Sequence, residues 1–193
     1  MIKQALLLTM LTTPAYAGIF GNIDYTYYDG VGKTSDYNAS GYSVNFGGDV
    51  YKSKQDSVTL DVKSEFVDIN DTNNSTTQLE GGANYQYKVN NEFGVYGRLG
   101  VGNNWVSTII QNDFLYYSLE PGVKWFPNDK STLGLAYRFQ DSLDNESDPF
   151  QTNTFRLNGE YSFDGTNGIQ AGIDTAIGDQ EYNAFKVGYI ARF

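Results

Sequence analysis

Apolar and aromatic residues recur at every second position along almost the whole chain after residue 17. This period of two is typical of β-strands that have one apolar and one polar face. Ten such segments can be separated, and we find no helical period. Their apolar positions are Ile23, Tyr25 and Tyr27; Tyr42, Val44 and Phe46; Val58, Leu60, Val62 and Phe66; Leu79, Ala83, Tyr85 and Tyr87; Phe93, Val95, Leu99 and Val101; Leu115, Tyr117, Leu119, Val123 and Trp125; Leu133, Leu135, Tyr137 and Phe139; Phe155, Leu157, Tyr161 and Phe163; Ile169, Ala171 and Ile173; and Phe185, Val187, Tyr189, Ala191 and Phe193.

The connections between these segments fall into two classes. Those after the odd strands are polar and mostly longer, as in Asp29–Ala39, Asp68–Thr76 and Gln140–Phe150, whereas those after the even strands are mostly short turns. An even number of strands with this asymmetry is typical of a closed transmembrane barrel whose short turns and termini are periplasmic. We therefore predict an all-β protein with a single closed antiparallel β-barrel of ten strands, with eight or twelve as alternatives.

Residues 1–17 have the pattern of a secretory signal peptide. Lys3 precedes an apolar run, and Ala15 and Ala17 are small residues at the expected cleavage site. The apolar run is far shorter than the roughly 20 residues of a membrane-spanning helix. We therefore expect residues 1–17 to be removed and residues 18–193 to form the barrel.

The composition of the chain is compatible with a membrane barrel. The chain has no cysteine, no histidine and 16% aromatic residues, and its mean hydropathy of −0.45 would suit a soluble protein. A barrel reconciles these values, because strands that alternate lipid-facing and lumen-facing residues have unremarkable average hydropathy. A soluble β-sandwich with an aromatic core is the alternative, although it does not require ten evenly alternating strands.

The net charge is −10, or −11 once Lys3 is removed. This acidity argues against nucleic acid as a partner, because phosphates require a basic surface. The strand assignment puts no charge on the lipid face, where a Lys or Arg would cost roughly 2 to 4 kcal/mol. The outer loops hold one base, Lys33, and eleven acids, namely Asp29, Asp36, Asp68, Asp71, Asp113, Asp141, Asp144, Glu146, Asp148, Asp179 and Glu181.

The remaining strand charges face the lumen. The acids are Asp24, Asp61, Glu65, Glu80, Glu120, Glu160 and Asp174, and the bases are Lys63, Lys88, Arg98, Lys124, Arg138, Arg156, Lys186 and Arg192. Two interpretations compete. In one, the acids and bases pair and fill the lumen. In the other, Arg98, Arg138 and Arg156, helped by Lys63, Lys124, Lys186 and Arg192, form a basic track for anionic solutes in a narrow channel.

The C-terminal segment Phe185–Phe193 resembles the last strand of Gram-negative outer-membrane β-barrels, with alternating Val187, Tyr189 and Ala191 before the terminal Phe193. Segments Leu119–Trp125 and Leu135–Phe139 are also similar to small porins, including acidic-oligosaccharide porins, which have twelve strands. The resemblance implies a multi-pass protein of the outer membrane that contacts lipid and lipopolysaccharide. It also implies that the barrel assembly machinery recognises the last strand.

Enzymatic activity is not expected. Enzymatic outer-membrane barrels use histidine in their catalytic sets, and this chain has none. Histidine suits proton transfer near neutral pH, and serine is a weak nucleophile without such a base. Glu65 and Glu80 form an inward carboxylate pair, but pairing with Lys63 or an arginine is the simpler expectation.

We predict no cofactor and no metal site. The acidic runs Asp68–Thr76 and Asp141–Asp148 do not have the ligand spacing of a calcium loop. The functional hypotheses are a narrow porin-like channel for small solutes, a structural barrel with an ion-paired lumen, and an adhesin or receptor barrel. In the last, the acidic outer loops would bind a host factor, lipopolysaccharide or phage.

Overall fold

The structure is a computed structural model, and it describes residues 18–31, 37–70, 74–107, 113–143 and 150–193. The predicted signal peptide, 1–17, lies outside the described residues. The same is true of six charged residues assigned to the outer loops, namely Lys33, Asp36, Asp71, Asp144, Glu146 and Asp148.

Within the described ranges, ten antiparallel strands form one closed barrel, which confirms the predicted fold. Each strand pairs with its neighbours in sequence, and the last strand closes the barrel on the first, with Tyr189 opposite Ile23. Across the described ranges, no helix is long and apolar enough to cross a membrane. The strands are β1 (Ile19–Val31), β2 (Tyr37–Lys52), β3 (Asp56–Ile69), β4 (Ser75–Lys88), β5 (Phe93–Ser107), β6 (Phe114–Asn128), β7 (Ser131–Ser142), β8 (Gln151–Ser162), β9 (Asn167–Gly178) and β10 (Tyr182–Arg192).

The outer surface of the barrel is apolar. Large hydrophobic side chains that alternate along the strands are about half exposed, for example Leu99 at 60% and Val187 at 57%. Aromatic residues ring both ends of this surface, with Phe93 opposite Trp125 at one end and Trp105 at the other. A continuous apolar belt between aromatic rings is the surface that a bilayer requires. The period-two pattern therefore reports lipid contact, not a sandwich core.

Several strands extend further than the sequence suggested. β1 continues to Val31, β3 to Ile69 and β7 to Ser142, inside segments that we expected to be loops. Polar residues can continue the hydrogen-bonded ladder of a strand once the strand leaves the hydrocarbon layer of the membrane. The apolar pattern therefore marks the membrane-spanning part of a strand and not its ends.

The barrel has two distinct ends. At the termini end, Gly18 accepts a hydrogen bond from the Asp49 amide (3.2 Å) and the Phe193 amide donates to Ile19 (2.8 Å). The connections after the even strands lie at this end, and those after the odd strands lie at the opposite, loop end.

Candidate functional site in the barrel lumen

The lumen contains the candidate site, because the polar face of every strand points into it. All fifteen charged residues that we assigned to the interior lie on that face. Fourteen of them line one cavity, and Glu65 is buried nearer the loop end. The sequence-predicted residues are thus brought together, and their pairing decides what the lumen can do.

Glu80 is the centre of the first ion-pair network. It is 3% exposed and is held by two guanidinium groups, Arg98 from β5 and Arg138 from β7. Arg98 also makes a two-bonded contact with Asp61 of β3, with distances of 3.0 Å and 2.5 Å. Such two-bonded contacts are the strongest geometry for an arginine and a carboxylate. This network joins β3, β4, β5 and β7 across the interior.

Two glycines make room for this network. A Cβ atom at Gly82 would overlap the Arg98 guanidinium, and a Cβ at Gly100 would lie 2.7 Å from a Glu80 oxygen. Glycine within a strand often marks such a close approach.

The second network lies on the other wall. Arg156 of β8 binds Glu120 of β6 (2.9 Å) and lies 3.4 Å from Asp174 of β9. Asp174 is also 3.9 Å from Lys186 of β10, and the Tyr96 hydroxyl donates to Glu120 (3.2 Å). Together the two networks neutralise Arg98, Arg138 and Arg156, the three residues proposed from sequence as a basic track.

A third group lies towards the loop end. The buried Tyr28 hydroxyl donates to Glu65 at 2.5 Å, and Lys63 binds the other oxygen of Glu65 at 2.6 Å. Glu65 and Glu80 therefore have separate basic partners and do not form a free carboxylate pair. Asp24 differs from the other inward acids, because its three hydrogen-bond donors are uncharged: Asn22, Ser43 and Gln170.

The loop half of the lumen is tightly packed. Tyr116 is fully buried, and Tyr28, Ala39 and Ala184 form a buried cluster against which Tyr182 packs. We did not identify these tyrosines as lumen residues from the sequence. Their signal was present as aromatic residues at inward positions of strands whose other inward residues are polar. Several buried polar groups in this half have no hydrogen-bond partner within the described structure, among them Asn104, Tyr116, Ser118, Gln140 and Thr152.

The termini half contains a cavity of about 580 Å³. It extends from the β2–β3 connection, where Lys54 lies, to Glu80 and Arg138 in the middle of the barrel. Of the residues that the structure describes, ten bases and eight acids line it. The lumen is therefore a cup that opens towards the termini end and is closed by ion pairs and packed side chains above.

Two bases on the strands of this cup, Lys124 and Lys88, have no carboxylate partner among the described residues, and neither has Lys54 in the β2–β3 turn at the mouth. Lys124 hydrogen-bonds to the amide oxygen of Gln86 (2.8 Å) and lies over the Tyr96 ring, 5.1 Å from its centroid. Lys88 lies over the Phe126 ring at 5.4 Å. Both rings supply a weak attraction for a cation, but neither neutralises its charge.

The described residues include no group of three or more acidic, histidine or cysteine side chains placed to hold a metal ion.

Arg192 binds Glu160 at the mouth of the cup. The predicted assembly residues Val187, Tyr189, Ala191 and Phe193 lie on or just after β10, which completes the barrel.

No protein-family model matches the sequence, and no curated protein matches it either. The similarity to known proteins is structural. An outer-membrane channel from Pseudomonas putida F1 superposes with a TM-score of 0.62 at 9% identity, covering 94% of this chain and 97% of the channel.

Two further structures are similar. The NanC porin has a TM-score of 0.54 at 9% identity, over 90% of this chain and 99% of the porin. The β-domain of the Bordetella autotransporter BrkA has a TM-score of 0.51 at 10% identity, over 93% of this chain and all of that domain (100%). Identities this low establish the fold and not the activity. With its lipid-facing belt and closed ladder, the chain therefore has the fold of the outer-membrane β-barrel proteins.

Proposed function

We propose that this protein is a structural outer-membrane barrel whose lumen is held closed by internal ion pairs. In this role the barrel is a stable membrane element with a cup on one side and does not conduct solutes in its resting state. The alternative, a narrow porin-like channel for small anionic solutes, requires the ion pairs in the middle of the barrel to separate.

The ion pairs around Glu80 are the main support for the proposal. Glu80 is almost completely buried and is bound at the same time by Arg98 and Arg138, so its strand, β4, is fastened to β7 across the interior. Breaking such a pair leaves a charge buried without a partner, which costs about 3 to 5 kcal/mol. The pairs therefore resist opening, and the arginines offer little attraction to a passing anion.

The packed loop half supports the same conclusion. Tyr116 and the Tyr28 cluster occupy the interior above the ion pairs. Tyr116 is 0% exposed, and no member of the Tyr28 cluster is more than 8% exposed. A ten-stranded barrel is also only slightly wider than the eight-stranded barrels whose side chains fill the interior, and much narrower than porins of about 16 to 18 strands.

Planar-bilayer conductance tests the proposal. We expect wild-type protein to conduct little above the bare bilayer. Glu80→Gln should raise the conductance and favour anions, because Arg138 then faces the lumen without a carboxylate and Arg98 keeps only Asp61. Glu92→Gln is the matched control, since Glu92 is exposed in the β4–β5 turn and does not line the cavity. A large steady wild-type conductance that Glu80→Gln leaves unchanged would contradict the closed lumen and favour the channel.

Location, partners and activity belong to the same proposal. The apolar belt suits outer-membrane lipid, the acidic outer loops suit the lipopolysaccharide side, and β10 with Phe193 is the segment that the assembly machinery would recognise. We infer no catalytic role, because the sequence contains no histidine and the inward carboxylates have other partners. Surface binding through the acidic loops stays a hypothesis from the sequence alone.

A further inference from the structure

Some bases in the cup are paired with a carboxylate and others are not. The arginines of the cup each bind at least one carboxylate, whereas Lys88 and Lys124 bind none within the described residues. Two acids that line the cavity with Lys124 are already engaged, because Glu120 binds Arg156 and Glu160 binds Arg192. Among the described residues, the unpaired positive charge on the strands of the cup is therefore at these two lysines, and Lys54 in the β2–β3 turn adds a third at the mouth.

The two lysines flank one glycine. Gly94 on β5 lies opposite Lys88 of β4 on one side and opposite Lys124 of β6 on the other. The two lysine backbones are thus two strand spacings apart, roughly 10 Å. Gly94 has no side chain of its own, and the Phe126 ring packs over it, with ring carbons 3.4 and 3.7 Å from the position of a Gly94 Cβ. Lys88 lies over this ring and Lys124 over the Tyr96 ring. The result is a pair of ammonium groups held against aromatic rings on one wall of the cavity.

From this arrangement we propose that Lys88 and Lys124 form a binding site for a small oxyanion, a phosphate or a carboxylate, that enters the cup from the termini end. Lys124 belongs to the basic track suggested by the sequence, whereas Lys88 does not, and the three arginines of that track take no part in the site. The site lies below the mid-barrel ion pairs. It requires no passage through the barrel, so a closed lumen and an occupied cup are compatible. The acidic Asp24 lies on β1, on the far wall, and does not compete for either lysine.

Each lysine makes a specific contribution. Lys124 is half-buried and positioned by the Gln86 oxygen, so its ammonium group has limited freedom and retains donors for an anion. Lys88 is exposed near the mouth, so it attracts the anion before binding. Charge-assisted hydrogen bonds from both groups are about twice as strong as neutral ones.

Isothermal titration calorimetry on the purified full chain in nonionic detergent at low salt tests the site with two probes, inorganic phosphate and glutarate. We expect at least one probe to bind the wild-type protein. Lys88→Gln and Lys124→Gln should each weaken that binding by roughly tenfold. Lys124→Arg should retain it, which separates loss of charge from misfolding.

Two controls define the outcome. Lys130→Gln removes a positive charge from an exposed turn at the same end of the barrel but outside the cavity, and it should bind as wild type does. The neutral diol 1,5-pentanediol, which has the carbon chain of glutarate, should not bind. Binding of phosphate alone identifies an inorganic oxyanion and binding of glutarate alone an organic acid, and both support the site.

The proposal is overturned if neither probe binds wild-type protein, if the diol binds as well as glutarate, or if Lys130→Gln weakens binding as much as Lys124→Gln. This result is independent of the closed lumen. Conductance tests the mid-barrel pairs, whereas calorimetry tests the two lysines, so failure of one does not imply failure of the other.

Discussion

Arg98 reaches across a whole strand to bind Asp61, with Nε to Oδ2 at 3.0 Å and Nη2 to Oδ1 at 2.5 Å. The strand between them is β4, and the residue directly opposite Asp61 on it is Gly82. The guanidinium group therefore passes over a position that has no side chain. This contact depends on a glycine at one residue as much as on the charges at two others.

The first prediction uses that glycine. Gly82→Ala should lower the free energy of unfolding by about 2 kcal/mol, because the added methyl group overlaps the Arg98 guanidinium. Gly81→Ala is the control on the adjacent residue, whose Cβ would meet no atom within 4 Å. It should be neutral or slightly stabilising. Guanidinium unfolding in lipid vesicles, followed by tryptophan fluorescence, measures both; equal effects would contradict the close contact.

The second prediction concerns the buried tyrosine near the loop end. Tyr28→Phe removes the hydroxyl that donates to Glu65 and leaves that carboxylate with Lys63 alone. A buried hydrogen bond to a charged group contributes about 2 kcal/mol, so the free energy of unfolding should fall by that amount.

Tyr27→Phe is the neighbouring control, because Tyr27 is on the outer face and 36% exposed. It should change the stability by less than about 0.5 kcal/mol. If the two variants unfold at the same denaturant concentration, the inward hydroxyl has no special role in the stability of the barrel.

The third prediction concerns orientation in the membrane. The chain contains no cysteine, so a single introduced cysteine can be labelled without background. Glu181→Cys, in the exposed β9–β10 connection at the loop end, should react with a membrane-impermeant maleimide in intact cells. Asp129→Cys, in the exposed β6–β7 turn, should react only after the outer membrane is permeabilised. The opposite pattern would reverse our assignment of the two ends.

Much of this fold could be predicted from the sequence, because the residues of a membrane strand alternate strictly between a lipid-facing and a lumen-facing side. The number of strands and the inward position of Glu80 and Arg138 follow from the period of two. The choice of ion-pair partners in the lumen does not follow from this period. Register alone places Glu120 opposite Arg98, but Arg98 binds Asp61 and Glu80.

The reason is geometric. Contacts across a lumen depend on the tilt and stagger of the closed barrel, which no single strand specifies. The closed loop half was missed for a related reason, since Tyr116 reads as one more aromatic residue in an aromatic-rich strand. Only its inward position shows that it fills the interior.

Closure of the ladder has a consequence for how the protein is made. Ile23 finds its partner in Tyr189, 166 residues later in the chain, so every shorter intermediate has two open strand edges. Such edges cannot enter hydrocarbon, because each unpaired backbone group costs several kcal/mol there, and in water they invite aggregation. We therefore expect the chain to stay unfolded, or its edges to stay covered, until the final strand arrives. Barrel formation would then be a single all-or-none step.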